Sequence, residues 1–224
     1  MTIPLFDEPT PAYARPMVIA PGAAILRGFA LPVADVLMQG VAAVIATAPL
    51  RHLVTPGGQP MSVAMSNCGP LGWVSDRRGY RYSATDPISN QPWPAMPDGF
   101  LTLATNAAAE AGFAGFRPNA CLINQYEPGA RMGLHQDRDE GGTAGDFSAP
   151  IVSVSLGLPA IFLFGGLQRK EKTTRWPLLH GDVVVWGGPS RLAFHGVAPL
   201  KDGEHAALGA RRVNLTFRWV RVDG

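Results

Sequence analysis

Ile151-Val152-Ser153-Val154-Ser155-Leu156-Gly157-Leu158 decides the fold, together with the two stretches that follow it. Ala160-Ile161-Phe162-Leu163-Phe164-Gly165-Gly166 begins after a single proline, and WPLLHGDVVVWGG occupies 176–188. Each is an apolar run of strand length bounded by glycine or proline, without helical period. His180-Gly181-Asp182 reads as a hairpin turn between two such runs. Upstream, Cys121 to Tyr126 (CLINQY) precedes the turn at Pro128-Gly129, and downstream Arg211–Arg221 forms a last strand. Short strands joined by turns, with no helix between them, predict a sandwich or jelly-roll barrel.

Working outward, residues 1–16 carry Pro4, Pro9, Pro11 and Pro16 and read as a surface arm. A strand is expected near 23–29. From Pro32, Leu37, Val41, Val44 and Ile45 recur at helical spacing until Pro49 stops them. A second helix is predicted over 99–111, capped by Asp98 and ended by Gly112. Residues 55–97 lack helical period and hold turn residues with Trp73, Tyr80, Tyr82 and Trp93. They read as an irregular lid or binding surface. The expected architecture is therefore mainly β with flanking helices (α+β), one domain over 17–224 with the 55–97 lid inside it.

Composition narrows the function without choosing it. Of 224 residues, 46% are apolar and 16% charged, which excludes a disordered chain. A balance of 19 basic to 17 acidic residues permits a polyanionic partner and requires none. Cys68 and Cys121 are the only cysteines and form no CxxC, which speaks against a disulfide framework or a zinc knuckle. No apolar run reaches membrane-spanning length and no signal-peptide pattern opens the chain. A cytoplasmic protein without a membrane partner is expected.

His135-Gln136-Asp137 carries the chemistry. On an extended strand, residues i and i+2 share a face, so an imidazole and a carboxylate converge. A later histidine completes a face of two histidines and one carboxylate, which leaves metal positions open and suits non-haem Fe(II) oxygenases. His195, in SRLAFHG after the GDVVVWGG strand, is the natural third ligand; His180, in a turn, is the competitor and reads as structural. A zinc hydrolase accepts the same ligands. In the last strand, alternation places Arg212, Asn214, Thr216 and Arg218 on one face and Val213, Leu215, Phe217 and Trp219 on the other. If the first face points into a barrel, its arginines need an anion, and a dicarboxylate fits their forks. If the strand lies at an edge, the same face is merely solvated. The strand spans roughly 20 Å, so the two arginines reach one small ligand only by leaning inward. Asn124 and Tyr126 share a face and are placed to add hydrogen bonds.

At this point the chain resembles the AlkB-type dioxygenases, which dealkylate nucleic acids with Fe(II) and 2-oxoglutarate, and the bacterial members above all. The resemblance runs from about Ala24 to Arg218. It includes TPGG (55–58), MSVAMSNCG (61–69), LGW (71–73), WPAMP (93–97), ACLIN (120–124), LHQD (134–137), APIVSVSLGLPAIF (149–162), FGGL (164–167), HGDVVVWGG (180–188) and NLTFR (214–218). It implies a double-stranded β-helix (jelly-roll) with an aromatic nucleotide-recognition lid.

The resemblance also implies roles. His135, Asp137 and His195 would hold Fe(II). Arg212 would pair with the distal carboxylate of 2-oxoglutarate, Arg218 would lie near its chelating end, and Asn124, Tyr126 and Asn214 would complete the pocket. Trp73 would stack on the damaged base with His135 beneath it. Tyr80 and Tyr82 would contact the nucleotide backbone, Asp139 the base edge, and Arg169 the substrate side. O2 and 2-oxoglutarate would be cosubstrates, and an N-methyl carbon would be hydroxylated and lost as formaldehyde, with succinate and CO2 released. Bases such as 1-methyladenine and 3-methylcytosine in DNA would be repaired, single strands in preference, with duplex DNA and RNA as further candidates, by a monomer. Gln125 and Val213 depart from the family's Arg and Tyr but point away from the pocket by alternation, and the 140–148 loop is longer than the family's. The rival readings are an oxygenase of the same fold acting on a protein or small molecule, and a non-catalytic metal-binding barrel.

Overall fold

In the computed structural model, which describes residues 15–141 and 145–221, the strand pattern resolves into two sheets and a separate hairpin. The chain begins with β1 (Met17–Ala20) and β2 (Ala23–Leu26), then α1 (Ala34–Thr47), β3 (Arg51–Val54) and β4 (Pro60–Cys68). β5 (Gly72–Asp76) and β6 (Gly79–Ser83) precede α2 (Asp98–Glu110). β7 (Ala120–Tyr126), β8 (Met132–His135), β9 (Ile151–Gly157) and β10 (Ala160–Phe164) follow. The chain closes with β11 (Thr174–Leu178), β12 (Val183–Trp186), β13 (His195–Val197) and β14 (Arg212–Arg218).

The large sheet runs β1-β2-β12-β9-β14-β7-β4-β3, the small one β11-β10-β13-β8, and β5 pairs with β6 alone. Phe162 and Phe164 of the small sheet pack with Ile151, Val184 and Trp186 of the large one, so the sheets face each other across an apolar layer. This is the expected jelly-roll. The outer face of the large sheet is covered by the helices: Leu37, Val41 and Val44 of α1 and Phe100, Leu103 and Ala107 of α2 share a core with Val213, Leu215 and Phe217 of β14. Each of these valines, leucines and phenylalanines contributes ~1.5–3 kcal/mol by leaving water.

That packing decides how β14 is read. All seven of its residues are buried, so Val213, Leu215 and Phe217 face the helices while Arg212, Asn214, Thr216 and Arg218 face inward. The solvated-edge reading fails because β14 lies between β9 and β7 in the middle of the sheet.

Several expectations are corrected. Residues 55–97 are not irregular throughout: β4 joins the large sheet beside β3, and Trp73 sits on β5, in register with Tyr82 of β6. Serine and asparagine within Met61-Ser62-Val63-Ala64-Met65-Ser66-Asn67 hid the alternation of β4. His180-Gly181-Asp182 does not close a hairpin, because β11 pairs with β10 whereas β12 pairs with β9 and β2. It is a corner between sheets. Gly181 there has φ +83° and leaves no room for a Cβ against Leu31, and the Asp182 carboxylate accepts from the backbone N–H of Leu179 and Gly28. Local turn chemistry was legible; the sheet each strand joins was not. Asp98 is the first residue of α2 rather than its cap; Pro97 precedes it without a side-chain cap bond, and the Asp98 charge suits the positive helix end. β1 was unassigned, β2 is shorter than 23–29, and β14 is shorter than 211–221. Of the expected N-terminal arm, residues 1–14 lie outside the described residues, as do 142–144 of the 140–148 loop. No helix among the described residues is long and apolar enough to cross a membrane.

Candidate metal centre and cosubstrate pocket

His135 ends β8 and His195 opens β13, and the two are directly paired across the small sheet. Their rings lie 4.4 Å apart, centroid to centroid. The strands can approach so closely because Gly196 stands beside His195: a Cβ there would sit 2.7 Å from the Met132 carbonyl. Asp137 lies just past the end of β8 and turns its carboxylate towards both rings. Its Oδ1 is 3.5 Å from His135 Nε2 and 3.9 Å from His195 Nε2. The three ligand atoms fall within 4.8 Å of one another. His180 takes no part in this cluster.

Both histidines are oriented by their own backbone. His135 Nδ1 meets the Gly133 carbonyl at 2.9 Å and His195 Nδ1 meets the Ala193 carbonyl at 3.0 Å. A carbonyl can only accept, so each Nδ1 carries the proton and each Nε2 is left as a lone-pair donor. The carboxylate is likewise prepared. Burial works to raise the Asp137 pKa, but its neighbours, the Arg218 guanidinium foremost, outweigh it and hold the group well below the usual carboxylate range. Burial, helped by His135, brings His195 down to about 3. The cluster therefore presents a neutral His195 imidazole, a charged carboxylate and the free Nε2 lone pair of His135, the donor set a divalent metal requires.

The facing strand supplies the second half. Arg218 holds Asp137 Oδ2 at 2.8 Å. Arg212, at the other end of β14, is 1% exposed. Its guanidinium lies over the Tyr126 ring at 4.9 Å, and its Nε and Nη2 donate to Ser155 Oγ at 3.2 and 2.7 Å. Among the described residues its Nη1 has no hydrogen-bond partner, and neither does Oδ1 of Asn124. Asn124 and Asn214 are bonded to each other across β7 and β14. A buried guanidinium with an idle N–H and no carboxylate beside it fits an anionic ligand. Arg212 and Arg218 stand at opposite ends of β14.

The aromatic hairpin meets this pocket from one side. Trp73 and Tyr80 stack at 5.5 Å and 16°, and Trp73 Nε1 donates to Asp139 Oδ2 at 2.9 Å. Tyr80 is exposed, whereas the Tyr82 hydroxyl donates to Glu140 Oε1 at 2.8 Å. Arg169 is on the β10–β11 loop, its guanidinium 5.9 Å from the Phe194 ring.

Four residues of this region were not anticipated. Glu140 is 2% exposed and bridges Tyr82, Arg191 and Arg218; burial, then the charge of Asp137, raises its pKa. Arg191 is buried beside it. Ser155 anchors Arg212, and the Trp186 ring lies 4.8 Å from that of His195 with its N–H unpaired. Isolated charges in loops have no period to betray burial. Ser155 could have been found, since it alternates with Ser153 inside an otherwise apolar strand.

Fold and site together define an oxygenase barrel of the two-histidine, one-carboxylate kind. The pattern of the 2OG-Fe(II) oxygenase superfamily matches residues 22–218. The chain is 56% identical over 200 residues to the alpha-ketoglutarate-dependent dioxygenase AlkB of Escherichia coli, covering 89% of this chain and 91% of that one. It is 37% identical over 138 residues to the nucleic acid dioxygenase ALKBH1 of Homo sapiens, 60% of this chain and 34% of that one. The solved structure of OsALKBH1 superposes with a TM-score of 0.78 at 28% identity, over 91% of this chain and 99% of the other. The chain belongs to the 2OG-Fe(II) oxygenase superfamily and, within it, to the AlkB family. It is an Fe(II)- and 2-oxoglutarate-dependent dioxygenase.

Proposed function

We propose that this dioxygenase removes alkyl groups from nucleic-acid bases, with 1-methyladenine and 3-methylcytosine in single-stranded DNA as its preferred substrates and duplex DNA and RNA as further ones. The observation that carries the reading is the stacked Trp73–Tyr80 pair, held to Asp139 two residues from Asp137. A flat aromatic face beside the metal ligands suits a flat substrate, and stacking on a base contributes ~1–3 kcal/mol. Exposed Arg77 and Arg78 at the hairpin tip, Arg169, Lys170 and Lys172 on the β10–β11 loop and Arg175 on β11 offer the positive charge a phosphate backbone needs.

In this reading His135, Asp137 and His195 hold Fe(II) through Nε2, Oδ1 and Nε2. Arg212 takes the distal carboxylate of 2-oxoglutarate with its idle Nη1, while Asn124, Asn214 and Tyr126 line the cosubstrate and Arg218 steadies the metal end. Trp73 stacks on the flipped base, Asp139 exchanges its indole bond for the base edge, and Tyr80 and Arg169 meet the strand. Tyr82, engaged by Glu140, holds the hairpin and has no free hydroxyl for the backbone. Bound Fe(II) would supply O2 chemistry that inserts one oxygen atom into a C–H bond of the N-methyl group and puts the other into succinate as 2-oxoglutarate loses CO2. The N–CH2OH product breaks its C–N bond, the hydroxyl proton passes to the base nitrogen, and formaldehyde leaves. A base in a duplex must first be flipped, at a cost of a few kcal/mol, which favours single strands. The domain is taken as 17–224, the recognition lid within 55–97 being carried by the β5–β6 hairpin and not by β4, and it acts as a cytoplasmic monomer; both cysteines are unpaired and buried.

Formaldehyde release from oligonucleotides bearing 1-methyladenine or 3-methylcytosine, compared with a methylated peptide and a free methylated nucleoside, tests the reading. Release from the oligonucleotides alone supports it. Release from the peptide or nucleoside alone would assign the barrel to another substrate class.

A further inference from the structure

The His135–Asp137 pair and His195 stand on different segments, and two side chains outside the triad tie those segments together in both directions. Gln136, between the two ligands and pointing away from them by alternation, donates Nε2 to the Leu192 carbonyl at 2.5 Å and to the Leu167 carbonyl at 3.4 Å. In return Arg191, the neighbour of Leu192, donates Nη1 to the Asp137 backbone carbonyl at 2.9 Å. A side chain from each segment thus bonds the backbone of the other. Arg191 is only 3% exposed, and its Nε donates to the Ala149 carbonyl at 2.9 Å. One guanidinium therefore holds both ends of the loop that leaves Asp137.

We propose that Gln136 and Arg191 form a reciprocal brace that sets where His195 stands relative to His135 and Asp137, and that both are positioning residues of the metal centre. The inference rests on the metal reading above. The sheet alone cannot fix the triad. β8 stops at His135, β13 is three residues long, and their register is irregular between His195 and Val197. Asp137 therefore lies beyond the last ladder bond, and the brace continues the connection past the end of the strands. Arg191 is suited to the task because its fork serves the Asp137 and Ala149 carbonyls at once, which a lysine ammonium cannot do with the same planar geometry. Losing either side chain also leaves carbonyls short of a donor at the place where ligand geometry matters most.

The test compares the parent with Gln136→Leu, Arg191→Lys and a control, Val41→Ala, which opens the helix-side core away from the site. Three quantities are read anaerobically: Fe(II) release to a chelator, the charge-transfer absorption of the Fe(II)–2-oxoglutarate complex, and Tm. The brace predicts release about ten- to a hundredfold faster in Gln136→Leu and Arg191→Lys, as for outer-shell partners of metal ligands. It also predicts an altered absorption band, and neither change in Val41→Ala even where its Tm falls as far. If Arg191→Lys does not fold, Gln136→Leu decides the matter alone. Parent-like release and absorption in folded variants would overturn the brace, as would equal acceleration in the control. A parent chain that holds no Fe(II) would overturn the metal reading, and the brace with it.

Discussion

Arg218 grips Asp137 by one oxygen only: its Nε is 2.8 Å from Oδ2, while Oδ1 is turned to the two histidines. The last strand of the large sheet thereby fixes which carboxylate oxygen is offered to the metal and keeps that carboxylate charged. The same arginine reaches Glu140 at 3.3 Å, so a single guanidinium serves two buried carboxylates.

Arg218→Gln follows from that sharing. The change strips two buried acids of a cation, and breaking a buried pair costs ~3–5 kcal/mol. Chemical denaturation should show a loss of that order, with weaker Fe(II) binding in the folded fraction. Parent-like stability would mean that Arg191 alone suffices for both carboxylates.

Arg212 answers a different question, the cosubstrate. Its idle Nη1 and full burial predict that Arg212→Gln raises the 2-oxoglutarate requirement by two or more orders of magnitude, since removing one partner of a buried pair costs ~3–5 kcal/mol and 1.4 kcal/mol is about tenfold. Succinate formation as a function of 2-oxoglutarate concentration reads it. An unchanged requirement would place the cosubstrate elsewhere.

Trp73→Ala should weaken binding of a methylated oligonucleotide about tenfold or more, because stacking contributes ~1–3 kcal/mol per base. Fe(II) and 2-oxoglutarate affinities should stay as they are. Fluorescence anisotropy under anaerobic conditions, at one fixed salt concentration, makes the comparison. Equal affinities of variant and parent would remove Trp73 from the substrate site.

His180 gives a pH dependence of stability that is separate from the metal. Its Nδ1 accepts the Gly157 N–H at 3.0 Å, and its ring lies 4.5 Å from that of His205. Burial, then the charge of His205, lowers its pKa. The unfolded chain, with a histidine pKa of about 6.5, thus takes up the proton more readily than the folded one. Stability should fall as pH drops through about 6.5 and level off below the depressed folded value. His180→Asn should flatten that part of the denaturation-midpoint profile; an unaltered slope would assign it to another group.

The sequence carried the chemistry further than the topology. His135-Gln136-Asp137 showed a histidine and a carboxylate at a spacing that converges on an extended chain, although Asp137 lies past the end of β8, and Arg212 to Arg218 announces a polar face by alternation. What it could not announce is that β14 is central, since centrality depends on β7 and β9, far along the chain. For the same reason the sequence does not show the pairing of His195 with His135, and the HGD turn has the local chemistry of a hairpin without being one. Glu140 and Arg191 looked like ordinary loop charges; only their shared burial, a property of three distant segments, makes them part of the site.

Single turnover limited by 2-oxoglutarate tests the central claim most directly. The protein is loaded anaerobically with Fe(II), one equivalent of 2-oxoglutarate and excess 3-methylcytosine oligonucleotide, then exposed to O2, and formaldehyde, succinate and repaired base are counted. The account predicts equal amounts of the three from the parent and from His180→Ala, and none from His195→Ala. Iron retained and formaldehyde formed by His195→Ala but not by His180→Ala would contradict it, as would succinate from the parent without repaired base.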